Sequence, residues 1–289
     1  MIQWPDDLIM DIARRTCVLY IGAGISANSE APDGSKPPTW KEFLSKALKN
    51  VKNDKDFIQQ LLDENDMLTA CEIIMEKLGT HEFHNIAHDC FRRPGYKPAE
   101  IHEVIYNLDS RLVISPNVDK IYEQYAQTTS SSTVVIKKYS EYDTPNFIRS
   151  QDRIILKAHG SIDTPHEMIF SKHQYNEARY KYSSFYKLLD SLALTHTYIF
   201  IGCGLNDPDI KLTLENYNFC FPGCRPHYFI TSKQSINECI SKSLLQNCNV
   251  QVLSYDNDDR THRDLLLSLH ELVKKVEQAR VQLSGTQNW

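Results

Sequence analysis

The sequence lacks any apolar run close to the roughly 20 residues that a membrane-spanning helix requires. It also lacks a secretory pattern, because Trp4, Pro5, Asp6 and Asp7 stand where a basic stretch and an apolar core would be needed. We therefore expect a cytoplasmic protein that does not enter a membrane.

An excess of positive charge is absent as well. Lys and Arg number 32 against 37 Asp and Glu, which gives a formal net charge of -5 at pH 7. A balance of this sign argues against autonomous binding to nucleic acid or to an acidic membrane surface. The hydrophobic share of 41% over 289 residues is ordinary for a soluble protein with a full core, in one large domain or in one domain with an insertion.

The eight cysteines show no repeated CxxC pair. A structural zinc site takes four ligands in compact pairs, so we expect no zinc. Several of the cysteines fall inside apolar runs, where a reduced cysteine acts as a small hydrophobic residue.

Seven short runs rich in β-branched and aromatic residues predict buried strands. Helical patterns separate most of them, and this alternation predicts a doubly wound α/β fold with a mainly parallel, Rossmann-like sheet. The predicted strands cover residues 17–21, 112–115, 133–138, 154–157, 198–201, 227–231 and 250–255.

Residues 40–108 break the alternation, because they have the pattern of several helices without a good strand. The segment falls between the first two predicted strands of the core. We therefore expect a helical insertion or lid over the carboxyl edge of the sheet, where ligands bind in such folds. Residues 259–280 predict a long amphipathic helix that packs on the sheet or joins a partner.

The first motif, GAGIS at residues 22–26, follows the first predicted strand directly. Small residues at a strand end allow a tight turn and let the backbone approach a pyrophosphate, whose charge the amides can bind. Ser26 adds a hydroxyl donor. The alternative is a glycine turn without a ligand.

Two further motifs place polar side chains at strand ends. SPNVDK, residues 115–120, brings Asn117 and Asp119 to the carboxyl edge, where Asp119 serves a ligand site, a helix cap or both. LKAHGSID, residues 156–163, places His159 at the end of another strand, where a neutral imidazole can accept a proton near pH 7.

The fourth motif, IGCGLNDPDI, occupies residues 201–210 and opens a strand-to-helix turn. Gly202 and Gly204 let the backbone approach a ribose. Asp207 before Pro208 is typical of a helix start, so this carboxylate is a cap rather than a catalytic group.

These four motifs, in this order and each at a strand end, resemble the sirtuin family. The family pattern is a GAG-x-S loop, an N-x-D element, an HG dipeptide and a further glycine turn. The matching positions are residues 22–26, 117–119, 159–160 and 202–204. The resemblance implies that residues 1–289 form one sirtuin-like NAD-binding domain.

The match is closer to the bacterial sirtuin-like NAD hydrolases of antiphage systems, such as Thoeris and the sirtuin–HerA pairs. Members of that branch carry the pattern PSW-x-x-L after the first loop, and residues 38–44, PTWKEFL, are similar to it. They also carry the pattern G-x-S-x-x-DP-x-I, which residues 202–210, GCGLNDPDI, match with Gly204 in place of the serine.

Three departures separate the sequence from deacetylase sirtuins. Residues 32–35 are PDGS where those enzymes carry PDFR, and residues 160–202 hold no cysteine where a zinc module is usual. Pro116 replaces the usual glutamine before N-x-D. These losses argue against protein deacylation and leave NAD binding and glycosidic cleavage as the implied activity.

The resemblance implies an NAD hydrolase that releases nicotinamide and ADP-ribose and acts in antiphage defence by depleting NAD. Asn117 would orient the ribose and the attacking water, Asp119 would stabilise positive charge, and His159 would act as general base. The residues expected to contact NAD are Gly22, Ala23, Gly24, Ser26, Gly202, Gly204, Asn206 and Tyr255.

An enzyme of this kind would poison its host if always active. We therefore expect control by homo-oligomerisation, by the helices of residues 40–108, or by a defence partner such as a HerA-type ATPase. Three alternatives remain: a non-catalytic sensor of NAD or ADP-ribose, a protein deacylase, and a nucleic-acid-acting subunit of a defence complex.

Overall fold

Seven parallel strands form the centre of the protein. The computed structural model describes residues 1–204, 208–221 and 223–286. The strands are β1 (Cys17–Ile21), β2 (Leu112–Ser115), β3 (Val135–Lys138), β4 (Ile154–Lys157), β5 (Thr197–Ile201), β6 (His227–Ser232) and β7 (Val250–Tyr255). They lie in the order β3-β4-β2-β1-β5-β6-β7, and every neighbouring pair is parallel.

This strand order confirms the predicted doubly wound fold. From β1 the chain builds one half of the sheet through β2, β3 and β4, and then returns to the other side of β1 for β5, β6 and β7. The direction of winding therefore reverses beside β1, and ligands of such folds bind outside the carboxyl ends of the strands at that point.

Fourteen α-helices are found in the described part of the chain, on both faces of the sheet and above its carboxyl edge. They are α1 (Asp6–Ala13), α2 (Ala23–Ser26), α3 (Trp40–Leu48), α4 (Lys55–Asp63), α5 (Met67–Leu78), α6 (Thr80–Phe91), α7 (Glu100–Asn107), α8 (Ile121–Thr129), α9 (Thr144–Arg149), α10 (Lys172–Lys181), α11 (Ser183–Thr195), α12 (Pro208–Cys220), α13 (Glu238–Cys248) and α14 (Arg263–Thr286). In this part of the chain, no helix is both long and apolar enough to cross a membrane.

Side chains of β1 alternate between two hydrophobic cores, as the period of a strand requires. Leu19 and Ile21 pack in the core formed with α1, α7, α8 and α14. Val18 and Tyr20 pack in the core formed with α10, α11, α12 and α13. Burial on both faces explains why β1 is a continuous apolar run.

The helices of residues 40–108 pack in two different cores, one of which is a third core of their own. Helices α3 to α6 bury Phe43, Ile74 and Phe83 against Val118 and Ile162, which follow β2 and β4. This places the four helices over the carboxyl edge of the sheet. Helix α7 instead packs in the core of α1 and α14. The structure therefore divides the predicted insertion, and only its first four helices cover the edge.

The long helix predicted at residues 259–280 is α14, which packs against α1 and α7. Arg280 extends from it to the ends of both neighbours, donating to the carbonyl oxygens of Ile12 at 3.4 Å and Leu108 at 2.9 Å. The carbonyl of Leu108, at the C-cap of α7, has no partner within that helix, so this side chain satisfies it.

Candidate functional site

A cavity of about 390 Å³ lies at the carboxyl edge of the sheet, beside the point where the winding reverses. Small-molecule sites commonly have volumes of about 300–1,000 Å³. The loops after β1, β2, β4 and β5 form its floor, and α3, α5, α6 and α10 contribute its walls. The floor residues are Gly22, Ala23, Ser26, Pro116, Asn117, Val118, Asp119, His159, Gly202, Cys203 and Gly204.

The turns after β1 and β5 contact each other through their backbones. The amide of Gly22 donates to the carbonyl of Ile201 at 2.9 Å, and that of Gly24 donates to Gly202 at 2.7 Å. A Cβ atom at Gly22 would lie 2.4 Å from the Cβ of Cys203. Only glycine fits at position 22. The amides of Gly22 and Gly24 already donate hydrogen bonds within the protein.

The loops after β1 and β2 meet through a side-chain hydrogen bond. The Nδ2 of Asn117 donates to the Oγ of Ser26 at 3.1 Å. Asp119 is buried, and its carboxylate accepts from the amide of Ile121 at 3.0 Å, at the start of α8. Asp119 thus binds the first amide of α8 and also lines the cavity, while the N-cap position itself is Lys120 and has no side-chain cap.

His159 is buried at the cavity floor, where Tyr175 of α10 contacts it. The Tyr175 hydroxyl lies 3.4 Å from Nδ1 of the imidazole, and the two rings meet edge to face at 5.0 Å between centroids. Tyr175 is not among the site residues predicted from the sequence. Ser171 and Gln174 form a capping box that marks the helix start, but nothing in the sequence shows that this tyrosine reaches the histidine.

The walls of the cavity are largely apolar. They are formed by Trp40 of α3, Met67 and Leu68 of α5, Phe91 of α6 and Phe170 before α10. Apolar walls exclude water and strengthen electrostatic interactions inside a site. A lid was expected at residues 40–108, but none of these wall residues was predicted as a site residue.

The structure places most of the predicted site residues around this one cavity. Two of them do not line it: Gly24 lies in the same turn but turns away from it, and Tyr255 is remote. Tyr255 ends β7, three strands from β1, and its hydroxyl forms a hydrogen bond of 2.7 Å with Nδ1 of the exposed His262. Contact of Tyr255 with NAD stays a prediction. Asn206 and Asp207 lie outside the described residues.

All eight cysteines are thiols, and none forms a disulfide. Cys17 is fully buried, and its burial raises the pKa of its thiol well above the ordinary value. Across residues 1–204, 208–221 and 223–286, no three His, Cys, Asp or Glu side chains are grouped so that they could hold a metal ion.

The loop after His159 is held by Glu167, whose carbonyl lies 2.3 Å from where a Cβ of Gly160 would stand. Its carboxylate pairs with Lys138 and accepts from the Oγ of Ser140 at 2.9 Å. Burial raises the pKa of Glu167, but hydrogen bonds from Lys138, Thr164 and Ser140 outweigh it and lower the pKa from 4.5 to about 2.

Because this pKa is lowered on folding, Glu167 stabilises the protein above pH 4.5 and loses that contribution as the pH falls toward 2. We expect Glu167→Gln to reduce the free energy of unfolding at pH 7, with a smaller difference from wild type at each step toward pH 2. Urea unfolding across this range measures it, with Glu76→Gln, at an exposed carboxylate, as control. A difference that does not change with pH would contradict the prediction.

The chain is similar to known proteins over most of its length. Residues 111–253 match the family model of the SIR2-like domain. The chain is 22% identical to "NAD(+) hydrolase ThsA" of Acinetobacter baumannii (strain 532279), over 97% of this chain and 58% of that protein. It is 23% identical to the protein of the same name from Enterococcus faecium, over 77% of this chain and 44% of that protein.

A third relative, "Defense-associated sirtuin 2" of Bacillus subtilis, is 26% identical over 68% of this chain and 19% of its own length. The chain spans about half the length of the hydrolases that it matches. The chain is therefore similar to sirtuin-like proteins: residues 111–253 match a SIR2-like domain, and its relatives include these hydrolases and the defence-associated sirtuin.

Proposed function

We propose that this protein hydrolyses NAD at the bond between nicotinamide and ribose, releasing nicotinamide and ADP-ribose. The observation that carries the proposal is the convergence of Asn117, Asp119 and His159 with the glycine turn of residues 22–26 on one cavity. The name of the hydrolases that the chain resembles supports the same reaction.

The turn after β1 would hold the pyrophosphate. Because the amides of Gly22 and Gly24 donate to the turn after β5, the contacts to the anion are assigned to Ala23 and Ser26, which line the cavity. Gly202 and Gly204 would lie against a ribose. In this arrangement the dinucleotide follows the carboxyl edge of the sheet, as in other doubly wound folds.

The reaction breaks the bond between the ribose and the nicotinamide nitrogen, and the bonding electrons leave with nicotinamide. The buried carboxylate of Asp119 would stabilise the positive charge that develops on the ribose. Water then forms the new bond to that carbon and gives up a proton, which His159 accepts as general base. The bond to Ser26 holds the Asn117 side chain in place to orient the ribose and the water.

Incubation of the purified protein with NAD, followed by chromatography, tests the proposal. We expect nicotinamide and ADP-ribose to form in equal amounts, without consumption of an acetylated peptide added in parallel. Tight binding of NAD without turnover would instead favour a sensor module, and peptide-dependent release of nicotinamide would favour a deacylase.

We also propose that the enzyme acts in antiphage defence and is controlled by assembly or by a partner such as a HerA-type ATPase. A relative named as a defence-associated sirtuin supports this role. Light scattering after size exclusion, combined with activity at several protein concentrations, tests the control. An unregulated, fully active monomer would count against it.

The contact with Tyr175 fixes the His159 ring, so we expect Tyr175→Phe to lower NAD turnover. Loss of one hydrogen bond of about 1 kcal/mol corresponds to a decrease of roughly 5-fold. Tyr180→Phe, at a tyrosine of the same helix that is 91% exposed, is the matched control. Equal rates for both variants would show that the Tyr175 hydroxyl does not contribute to NAD turnover.

A further inference from the structure

A buried ion pair lies beneath the cavity, between β4 and α8. Lys157, the last residue of β4, is 1% exposed, and Glu123 of α8 is 2% exposed. The ammonium of Lys157 pairs with the carboxylate of Glu123 and donates to the backbone carbonyl of Asp119 at 2.7 Å. Neither charged side chain lines the cavity.

The pair connects the two segments that carry the proposed catalytic groups. Lys157 stands two residues before His159 on one segment, and the carbonyl it binds belongs to the loop that presents Asn117 and Asp119 on the other. The Lys157 side chain thus connects the two loops that carry the proposed catalytic groups.

Backbone hydrogen bonds join the same two loops on either side of this contact. The amide of Ala158 donates to the carbonyl of Ser115 at 3.0 Å, and that of Ile162 donates to Val118 at 2.8 Å. The ammonium adds a charge-assisted hydrogen bond to Asp119, next to the proposed catalytic side chains.

Stability alone does not explain a charged pair at this place. Removing two charges from water is costly, and apolar residues of similar volume often stabilise a protein equally well or better. Burial raises the pKa of Glu123, which the charge of Lys157 opposes, as expected for a desolvated pair. A fixed position for the Asp119 carbonyl is a benefit that an apolar pair would not provide.

We infer that Lys157 and Glu123 are positioning residues for NAD hydrolysis: they hold the loop of Asn117 and Asp119 at a set distance from His159. The inference rests on the proposed function. The pair would set the distance between the reacting groups, and a displacement of about 1 Å in such groups can lower the rate on the order of 100-fold.

The test compares wild type with the double variant Lys157→Met/Glu123→Leu, which replaces the pair with apolar residues. We expect a melting temperature within about 5 °C of wild type. We expect kcat to fall by roughly 10- to 100-fold. Affinity for ADP-ribose, measured by calorimetry, should stay within about 3-fold, because the product does not need the reacting geometry.

Thr197→Val is the matched control. It removes a buried hydrogen bond of 2.6 Å to Asp11 at the opposite edge of the sheet, so it should change stability and leave kcat unchanged. If the double variant does not fold, Lys157→Met/Glu123→Gln, which also removes the bond to the Asp119 carbonyl and keeps the shape of residue 123, takes its place with the same expected fall in kcat.

If a folded variant of the pair has the kcat of the wild type, the inference is wrong. The proposed function is unaffected by that result, because the wild type still hydrolyses NAD. A fall in kcat matched by an equal loss of ADP-ribose affinity would also overturn the inference, because it would show general damage to the site. No turnover by the wild type would overturn the proposed function and the inference together.

Discussion

Replacing His159 with alanine is expected to lower kcat for NAD hydrolysis by about 100- to 10,000-fold, the usual contribution of a positioned general base. The variant should still bind NAD, because the turn of residues 22–26 remains intact. Asn117→Ala should lower kcat by a similar factor, since it removes both the orienting amide and its bond to Ser26.

The measurement is the initial rate of nicotinamide release, with NAD affinity determined separately by calorimetry. His173→Ala, at an exposed histidine of α10, is the control and should keep the wild-type rate. Full activity in both Asn117→Ala and His159→Ala would remove the proposed assignment of catalytic groups.

Gly22→Ala is expected to have the second large effect, on folding as well as on binding. Its methyl group would lie 2.4 Å from the Cβ of Cys203 and 2.6 Å from the carbonyl oxygen of Gly202, so the turns after β1 and β5 must separate. Overpacking of this kind costs about 1–3 kcal/mol or more. Because the displaced turn lines the cavity, KM for NAD should rise at least about 10-fold, which corresponds to about 1.4 kcal/mol.

Urea unfolding and NAD kinetics measure the two effects. Gly285→Ala in α14 is the matched control, because a Cβ atom there meets nothing within 4 Å. In a helix this change should be neutral or stabilising by up to about 1 kcal/mol. Equal stability of the two variants would show that the contact between the turns does not restrict residue 22.

The central strands β1, β2, β4 and β5 could be predicted closely from the sequence, because burial on both faces makes them largely apolar runs. Four of the seven strands agree with the structure at both ends, including β1 and β4. Their order in the sheet was beyond the same reasoning. Strands β5 and β6 lie between β1 and β7, which ends at Tyr255, and no pattern within a single strand indicates this separation.

Asn117 and His159 could be predicted to lie at strand ends, and the structure brings both to the cavity; their catalytic roles stay predictions. Residues that complete the site from helices could not be predicted. Tyr175 and Trp40 occupy ordinary helical positions, and only the packing of α3 to α6 and α10 over the edge brings them to the cavity. For the same reason α7 resembled its neighbours in sequence while packing in a different core.

A crystal structure of the His159→Ala variant with NAD bound would test the central claim most directly, because slow turnover should leave the substrate intact. We expect the pyrophosphate against Ala23 and Ser26, and the nicotinamide ribose between Asn117 and residue 159. NAD bound anywhere else on the protein, with this cavity empty, would contradict the account.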